Sequence, residues 1–220
     1  MSEEVEIDIA GVIDSILDLG PWKPEPERPF YGTDTRTILV TGDISESSCA
    51  YFCSKMLELE RLDPEAPVYI HLNTLGGSII DALAMYDTMR TTTCPIILEV
   101  RGLCASAGFL ILSGADVRFA LPNSLFFHHP TQMSEVDLSS PEHLKATTKI
   151  YDLLEERFNQ ILRTTCNISD EHWDTYFANA HALWFTTQQA MQWGILDGTI
   201  KTQEKASIQI EEEAGDGEEG

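Results

Sequence analysis

Apolar residues along the central part of the chain alternate between short continuous runs and sets at helical spacing. Runs typical of buried strands cover residues 37–42, 68–73, 95–101, 117–121, 124–130 and 195–200. Apolar side chains recur at helical spacing over residues 43–61 and 79–90, and a third helix begins near Phe109. The alternation of strands and helices predicts an α/β fold built from repeated β-β-α or βαβ units.

The longest amphipathic pattern covers residues 140–164. Its apolar stripe consists of Leu144, Ile150, Leu153, Leu154, Phe158, Ile161 and Leu162. Pro141 fits the first turn of this helix, and Ser139 or Ser140 fits its cap. We expect this helix to lie at the outside of the domain, where it either docks against another subunit or packs on the core. Two shorter helices are predicted, one beginning at Ser169 and one ending at Gly194.

The two ends of the chain differ from its centre. Residues 1–35 form an acidic, proline-rich arm with a short amphipathic stretch at 7–19, and we expect it either to pack on a neighbour or to be a mobile tail. Residues 203–220 are dominated by glutamate and glycine and are predicted to be disordered. One domain, residues 36–202, remains between them.

Composition excludes several classes of function. The formal charge of −22 would repel nucleic acids and anionic membranes. No apolar run is long enough to span a membrane and the amino terminus lacks a signal-peptide pattern, so we expect a cytoplasmic protein. The five cysteines show neither disulfide nor zinc spacing, so we expect no metal and no cofactor.

Ser106 lies in a turn of small residues, 102–108, between a predicted strand and a predicted helix. The free N–H groups at a helix start favour an oxyanion on a bound carbonyl, and the small neighbours Ala105, Ala107 and Gly108 leave room for a substrate backbone. A nucleophilic serine fits this position. A serine that merely caps the helix fits it equally well.

A second such turn follows the preceding strand, where Gly76 and Gly77 come directly before Ser78. Adjacent glycines let a backbone point N–H groups at a ligand. Since both turns follow strands of one sheet, we expect them at the same sheet edge. Two histidines, His128 and His129, end a later strand, and an imidazole there can serve Ser106 as general base.

Together these motifs resemble those of ClpP, the proteolytic subunit family of the ATP-dependent Clp protease, from about Arg36 to Thr202. The resemblance is carried by residues 73–78, 86–89, 105–108, 120–124 and 190–197. It implies a crotonase-like spiral of β-β-α units with a long handle helix, assembled into homo-oligomeric, heptameric rings. It also implies that Ser106 is the nucleophile of a serine endopeptidase and that the amides of Gly77 and Ala107 form its oxyanion hole.

The resemblance leaves two positions of the proton relay open. Counting from Ser124 without a gap places the family's catalytic histidine at His129, whereas its usual spacing to a proline points to His128. Strand alternation predicts that only one ring faces Ser106, and we favour His129. Where the family has an aspartate, this chain has Ala182, so Asn179 is the candidate for orienting the imidazole.

The sequence therefore supports two main functions. One is a serine peptidase subunit that degrades unfolded polypeptide, with a possible AAA+ unfoldase as partner. The other is a catalytically weak or silent ring subunit, suggested by the missing carboxylate. An acyl-CoA enzyme of the crotonase type is disfavoured because that chemistry usually calls for carboxylates over the substrate. An α/β-hydrolase is disfavoured because the turn lacks the leading glycine of a nucleophile elbow.

Overall fold

The computed structural model describes residues 36–131, 140–166, 168–178 and 182–200. The predicted amino-terminal arm, the acidic carboxy-terminal tail and Asn179 lie outside the described residues.

A mostly parallel sheet forms the centre of the molecule. Its seven strands are β1 (Thr37–Ile44), β2 (Val68–Gly77), β3 (Ile96–Ala105), β4 (Val117–Ala120), β5 (Leu125–His128), β6 (Leu183–Thr186) and β7 (Gly198–Thr199). The main order is β1-β2-β3-β4-β7, with every neighbouring pair parallel. β5 pairs in parallel with the end of β3 and antiparallel with β6. The predicted α/β fold is confirmed, although the last strand is much shorter than the 195–200 expected.

Helices connect the strands. They are α1 (Glu46–Leu62), α2 (Ile79–Thr91), α3 (Gly108–Gly114), α4 (Pro141–Thr165), α5 (Asp170–His172) and α6 (Thr187–Gln192), and a π-helical turn, Trp173–Phe177, continues α5. The predicted long helix is confirmed as α4. Of its two candidate caps, Ser140 is the residue that accepts a hydrogen bond from the amide of His143.

The main core fills one face of the sheet, where alternate strand residues such as Ile70, Leu72, Leu98 and Val100 pack with buried residues of the helices. The opposite face carries a smaller buried cluster of Ile97, Val117 and Phe119. No helix in the described ranges is long and apolar enough to cross a membrane. All five cysteines are free thiols.

An ion pair between the buried Arg118 and the more exposed Asp197 lies at the far side of the sheet. Arg118 on β4 is 8% exposed and donates from Nε and Nη2 to the two carboxylate oxygens of Asp197, at 3.0 Å each. The Asp197 side chain is 35% exposed, so solvent partly screens its charge. Arg118 also donates to the carbonyl of Thr165 at the end of α4. The pair therefore fixes the base of α4 against the sheet.

Candidate active site

Ser106 follows the last residue of β3 and has an unusual backbone conformation. Its φ of 52° lies in the left-handed region, which no other described non-glycine residue adopts. Its amide donates to the carbonyl of Phe127 at 2.9 Å, which fixes the turn to β5. The helix that follows is capped by Ala107 without a side-chain hydrogen bond, so Ser106 does not serve as its cap. Strain of this kind costs about 1–3 kcal/mol and clusters at functional sites.

The glycine turn after β2 presses against Ser106. A Cβ on Gly76 would lie 2.6 Å from the Ser106 Cβ and 2.8 Å from the carbonyl oxygen of Ala105. It would also lie 3.0 Å from the Ala107 nitrogen, and the φ of Gly76 is +97°. Only glycine fits this contact. The prediction that the two small-residue turns meet at one sheet edge is confirmed.

Two backbone amides beside Ser106 are suited to bind an oxyanion. The Ser78 amide donates to the Ile44 carbonyl at 2.9 Å, which fixes the end of the glycine turn against β1. Ala107 precedes α3, where amides have no partner within the helix. Gly77 and Ala107 both line one cavity with Ser106. Their role as an oxyanion hole stays a prediction.

Thr74 is a residue that sequence reasoning missed. It is 2% exposed, and its hydroxyl donates to the Gly42 carbonyl at 2.5 Å and accepts from the Gly76 amide at 3.0 Å. Its methyl group packs where a Cβ on Gly108 would lie, at 2.7 Å. Thr74 thus holds both turns in place. The only sequence signal is a hydroxyl two residues before a glycine pair, which is common in ordinary turns.

His128, the last residue of β5, is buried in an aromatic cluster. It is 3% exposed, and its ring lies 5.2 Å from that of Phe177, 5.8 Å from that of Phe158 and 6.1 Å from that of Phe109, between centroids. Its Nδ1 has no hydrogen-bond partner in the described part of the chain. Burial, with a smaller contribution from the charge of His129, lowers the pKa of His128 to about 4. The ring is therefore neutral near pH 7.

His129 is half-buried and lies on the other side of the strand. Its ring stands 5.3 Å from that of Phe127, and its Nδ1 lies 2.7 Å from the Pro130 carbonyl oxygen. Because a carbonyl only accepts, Nδ1 carries the proton in this contact and Nε2 keeps a lone pair. Continuing the β5–β6 register, in which His128 pairs with Leu183, places His129 opposite Ala182.

One cavity of about 500 Å³ brings these groups together. Ser106, His128 and His129 all line it. That only one of the two imidazoles faces Ser106 stays a prediction. His128 reaches the cavity from the aromatic cluster, whereas His129 reaches it from the opposite face of the strand. No hydrogen bond joins the Ser106 hydroxyl to either ring among the described residues. Such contacts are often long without a substrate.

The far wall of the cavity comes from α4. Its apolar part consists of Ile150, Leu154 and Phe158, which are spaced by four residues, and Ile80 faces them from α2. The polar part includes Tyr151, Asn159 and Glu155. Glu155 Oε2 accepts a hydrogen bond of 2.6 Å from the Thr131 amide, two residues after His129. Sequence reasoning did not single out Glu155, because it placed this residue on the polar side of an amphipathic helix.

No cluster of three or more histidine, cysteine, aspartate or glutamate residues suited to a metal ion occurs within the described ranges. The groups gathered here are instead a hydroxyl, two imidazoles and two backbone amides. This set can perform nucleophilic attack on a carbonyl with proton transfer and oxyanion stabilisation.

Comparison with known proteins identifies the family of this chain. Residues 32–203 match the family described as Clp protease. An ATP-dependent Clp protease proteolytic subunit of Ligilactobacillus salivarius is 31% identical over 178 residues, covering 77% of this chain and 85% of the relative. The ATP-dependent Clp protease proteolytic subunit 2 of Corynebacterium diphtheriae is 27% identical over 175 residues, covering 76% and 83% respectively. This chain therefore belongs to the Clp protease family, as a relative of its proteolytic subunits.

Proposed function

We propose that this chain is an active serine endopeptidase subunit with Ser106 as nucleophile, His129 as general base, and the amides of Gly77 and Ala107 as oxyanion hole. One observation carries the proposal. Ser106 is held in a strained left-handed turn at the wall of a cavity that also contains both amides and the imidazole. Natural chains retain such strain where surrounding structure fixes a functional group.

The proposed reaction follows from these positions. His129 Nε2 takes the hydroxyl proton as Ser106 attacks the peptide carbonyl, and the two amides stabilise the oxyanion. The imidazolium then protonates the leaving amine. Water, activated by the same ring, releases the acyl group from Ser106. The Pro130 carbonyl bound to Nδ1 keeps the ring in the tautomer that this sequence of transfers needs.

His129 is the better candidate for the base because of what surrounds each ring. A general base must become an imidazolium during the reaction, and the aromatic burial that lowers the pKa of His128 to about 4 opposes that charge. His129 has a polar partner at Nδ1 and lies opposite Ala182, the position that carries an aspartate in the family pattern. We therefore assign His129 to proton transfer and His128 to the core.

The proposed active site works as a serine–histidine pair without an acid from the β6 side. Ala182 has no side chain that can reach the imidazole, and the other candidate, Asn179, lies outside the described residues. A backbone carbonyl orients the ring but provides less stabilisation of the imidazolium than a carboxylate would. Loss of that charge lowers kcat about 10⁴-fold where the tautomer is also lost. Since Pro130 preserves the tautomer, we expect a smaller deficit here.

We further propose that the peptidase acts on unfolded polypeptide that an AAA+ unfoldase supplies, inside a homo-oligomeric ring that is heptameric in the family pattern. Support comes from the relatives named as subunits of an ATP-dependent protease, and from the exposed Leu144, Ile150 and Leu153 on α4, which suit subunit contact. The five free thiols fit a reducing compartment such as the cytoplasm.

A second candidate function is a silent ring subunit. The observation that favours it is Ala182 at the position where the family has a carboxylate. In that case the strained Ser106 turn and the glycine contact would persist only as inherited packing.

Hydrolysis of a fluorogenic peptide and of unfolded casein by the full chain tests the proposal, with the particle mass measured in parallel by light scattering. An active subunit cleaves both substrates, and Ser106→Ala abolishes cleavage while leaving the particle mass unchanged. Assembled rings that cleave neither substrate would identify the silent subunit instead.

A further inference from the structure

We infer that the cavity beside Ser106 selects a lysine or arginine on the amino side of the scissile bond, and that Glu155 is the residue that binds its charged end. The inference deepens the proposed peptidase function and rests on it. It assigns a substrate preference to a side chain that the catalytic steps do not use.

The wall of the cavity formed by α4 is partly apolar. Ile150, Leu154 and Phe158 follow one another at four-residue spacing and form an apolar strip along α4. Glu155 stands beside this strip and lines the same cavity as Ser106. Both an apolar surface and a carboxylate therefore line the cavity that a long side chain enters beside the serine.

The carboxylate of Glu155 has only one of its two oxygens in a described hydrogen bond. Its Oε2 accepts a hydrogen bond from the Thr131 amide, and no hydrogen bond or ion pair to its Oε1 occurs in the described part of the chain. The described residues that line the cavity include no lysine or arginine. One oxygen of this half-buried carboxylate is thus left for a ligand donor, and no cation of the cavity wall neutralises it.

The surface next to Glu155 is also acidic. A neighbouring recess of about 340 Å³ shares Tyr151, Glu155 and Asn159 with the cavity and adds Asp152 and Glu156. Its described lining contains no basic residue either. The combined potential favours a cation and disfavours an acidic side chain, in line with the charge of −22 on the whole chain.

Lysine and arginine match both parts of this surface. Their methylene stems pack on apolar side chains while their charged ends reach polar groups. An arginine guanidinium or a lysine ammonium would donate to Glu155 Oε1 in a charge-assisted hydrogen bond, which is stronger than a neutral one. Leucine would gain only the apolar contact, and glutamate would meet a like charge.

Glu155 also holds Thr131, so its specificity role must be separated from positioning of the histidine segment. Glu155→Gln does this, because the amide oxygen of glutamine still accepts from the Thr131 amide while the negative charge is lost. A merely structural role would change the cleavage of all substrates in the same proportion. A specificity role changes the ratio between substrates.

The test uses three acyl-tripeptide substrates with a fluorogenic leaving group, Ala-Ala-Arg, Ala-Ala-Leu and Ala-Ala-Glu, on the assembled full chain. The native protein is expected to cleave the arginine substrate with a kcat/KM about tenfold or more above the leucine substrate, and the glutamate substrate least. In Glu155→Gln the arginine-to-leucine ratio falls about tenfold. Glu65→Gln, an exposed glutamate in the loop before β2, makes the same chemical change at the opposite end of the sheet and keeps the native ratio.

The inference is overturned if the arginine-to-leucine ratio of kcat/KM is near one in the native protein, or if Glu155→Gln leaves that ratio unchanged. Either result leaves the peptidase function in place. If no substrate is cleaved, the binding of peptides to the Ser106→Ala variant tests the inference. Calorimetry of Ser106→Ala with the free acid of Ala-Ala-Arg is then expected to show tighter binding than with that of Ala-Ala-Leu, and the added Glu155→Gln change removes the difference. Equal binding of the two peptides overturns the inference independently of catalysis.

Discussion

The two sides of the candidate active-site cavity are built in different ways. On the serine side, Ser106 is fixed by backbone hydrogen bonding to Phe127 and by direct contact with Gly76, and no larger side chain fits between the two turns. On the histidine side, two imidazoles stand in sequence, one in the core and one bound to a neighbouring carbonyl, and Ala182 lies opposite His129 in the continued β5–β6 register. The serine side is constrained by packing, whereas the histidine side depends on side-chain chemistry.

The difference teaches which part of such a site can change without loss of the fold. A substitution at Gly76 or Gly77 meets backbone atoms, since a Cβ on Gly77 would lie 2.2 Å from the Ile44 carbonyl oxygen. A substitution at position 182 meets no such barrier, because Ala182 is exposed. Position 182 can therefore vary while the turn that holds Ser106 stays intact.

The largest effect is expected from separating the two histidines. His129→Ala should lower kcat about 10³-fold, because it removes the proposed general base. His128→Phe replaces a neutral ring in an aromatic cluster by another aromatic ring and should retain most of the activity. Peptide turnover by both variants measures this directly. The reverse order of the two losses would assign the base to His128.

Steric constraint on the serine side predicts the next largest effect. Gly76→Ala should lower the free energy of unfolding by about 3 kcal/mol and lower turnover about 100-fold, because the new Cβ meets Ser106 and Ala107 and displaces the serine. Gly42→Ala is the matched control, since Gly42 also has a positive φ but nothing lies within 4 Å of its ideal Cβ. It should cost only about 1 kcal/mol and leave turnover intact. Chemical denaturation and turnover, measured together, check the pair.

Lowering the pH should destabilise the folded protein through His128. Its folded pKa of about 4 lies below the ordinary 6.5, so the unfolded state binds a proton that the folded state does not. This contribution is fully present above pH 6.5 and is lost as pH falls from 6.5 to 4, by about 3 kcal/mol. Unfolding free energies of the native chain and His128→Phe, measured across that range, should diverge by this amount. Parallel curves would show that His128 is not buried in neutral form.

The smallest of these effects is expected at position 182, opposite His129. Ala182→Asp should raise kcat about tenfold, because a carboxylate opposite His129 stabilises the imidazolium formed during catalysis. Ala182→Asn provides a hydrogen-bond acceptor without the charge and should give little gain. Turnover of the two variants under the same conditions makes the comparison. An equal gain in both would mean that orientation, and not charge, limits the native site.

Sequence patterns predicted much of the architecture, because strands and long amphipathic helices leave strong periodic signals. The length of α4, its Ser140 cap and the meeting of the two small-residue turns follow from such signals. The last strand was overestimated, because an apolar run is also produced by loop residues that pack on the core, as Ile195 and Leu196 do.

The details of the site were less accessible to sequence reasoning. The positive φ of Ser106 and the hydroxyl bonds of Thr74 arise from contacts between segments about 30 residues apart, which no local pattern reveals. The placement of both histidines on one cavity depends on where α4 packs, since Phe158 encloses His128. Glu155 was missed for the same reason, because its position against Thr131 is a tertiary contact.

The most direct test of the central claim is labelling with a fluorophosphonate probe, with the modified residue mapped by mass spectrometry. The account predicts that the native chain is labelled at Ser106, that Ser106→Ala is not labelled, and that His129→Ala is labelled far more slowly than His128→Phe. An assembled native chain that stays unlabelled, or that is labelled only at another residue, would contradict the account.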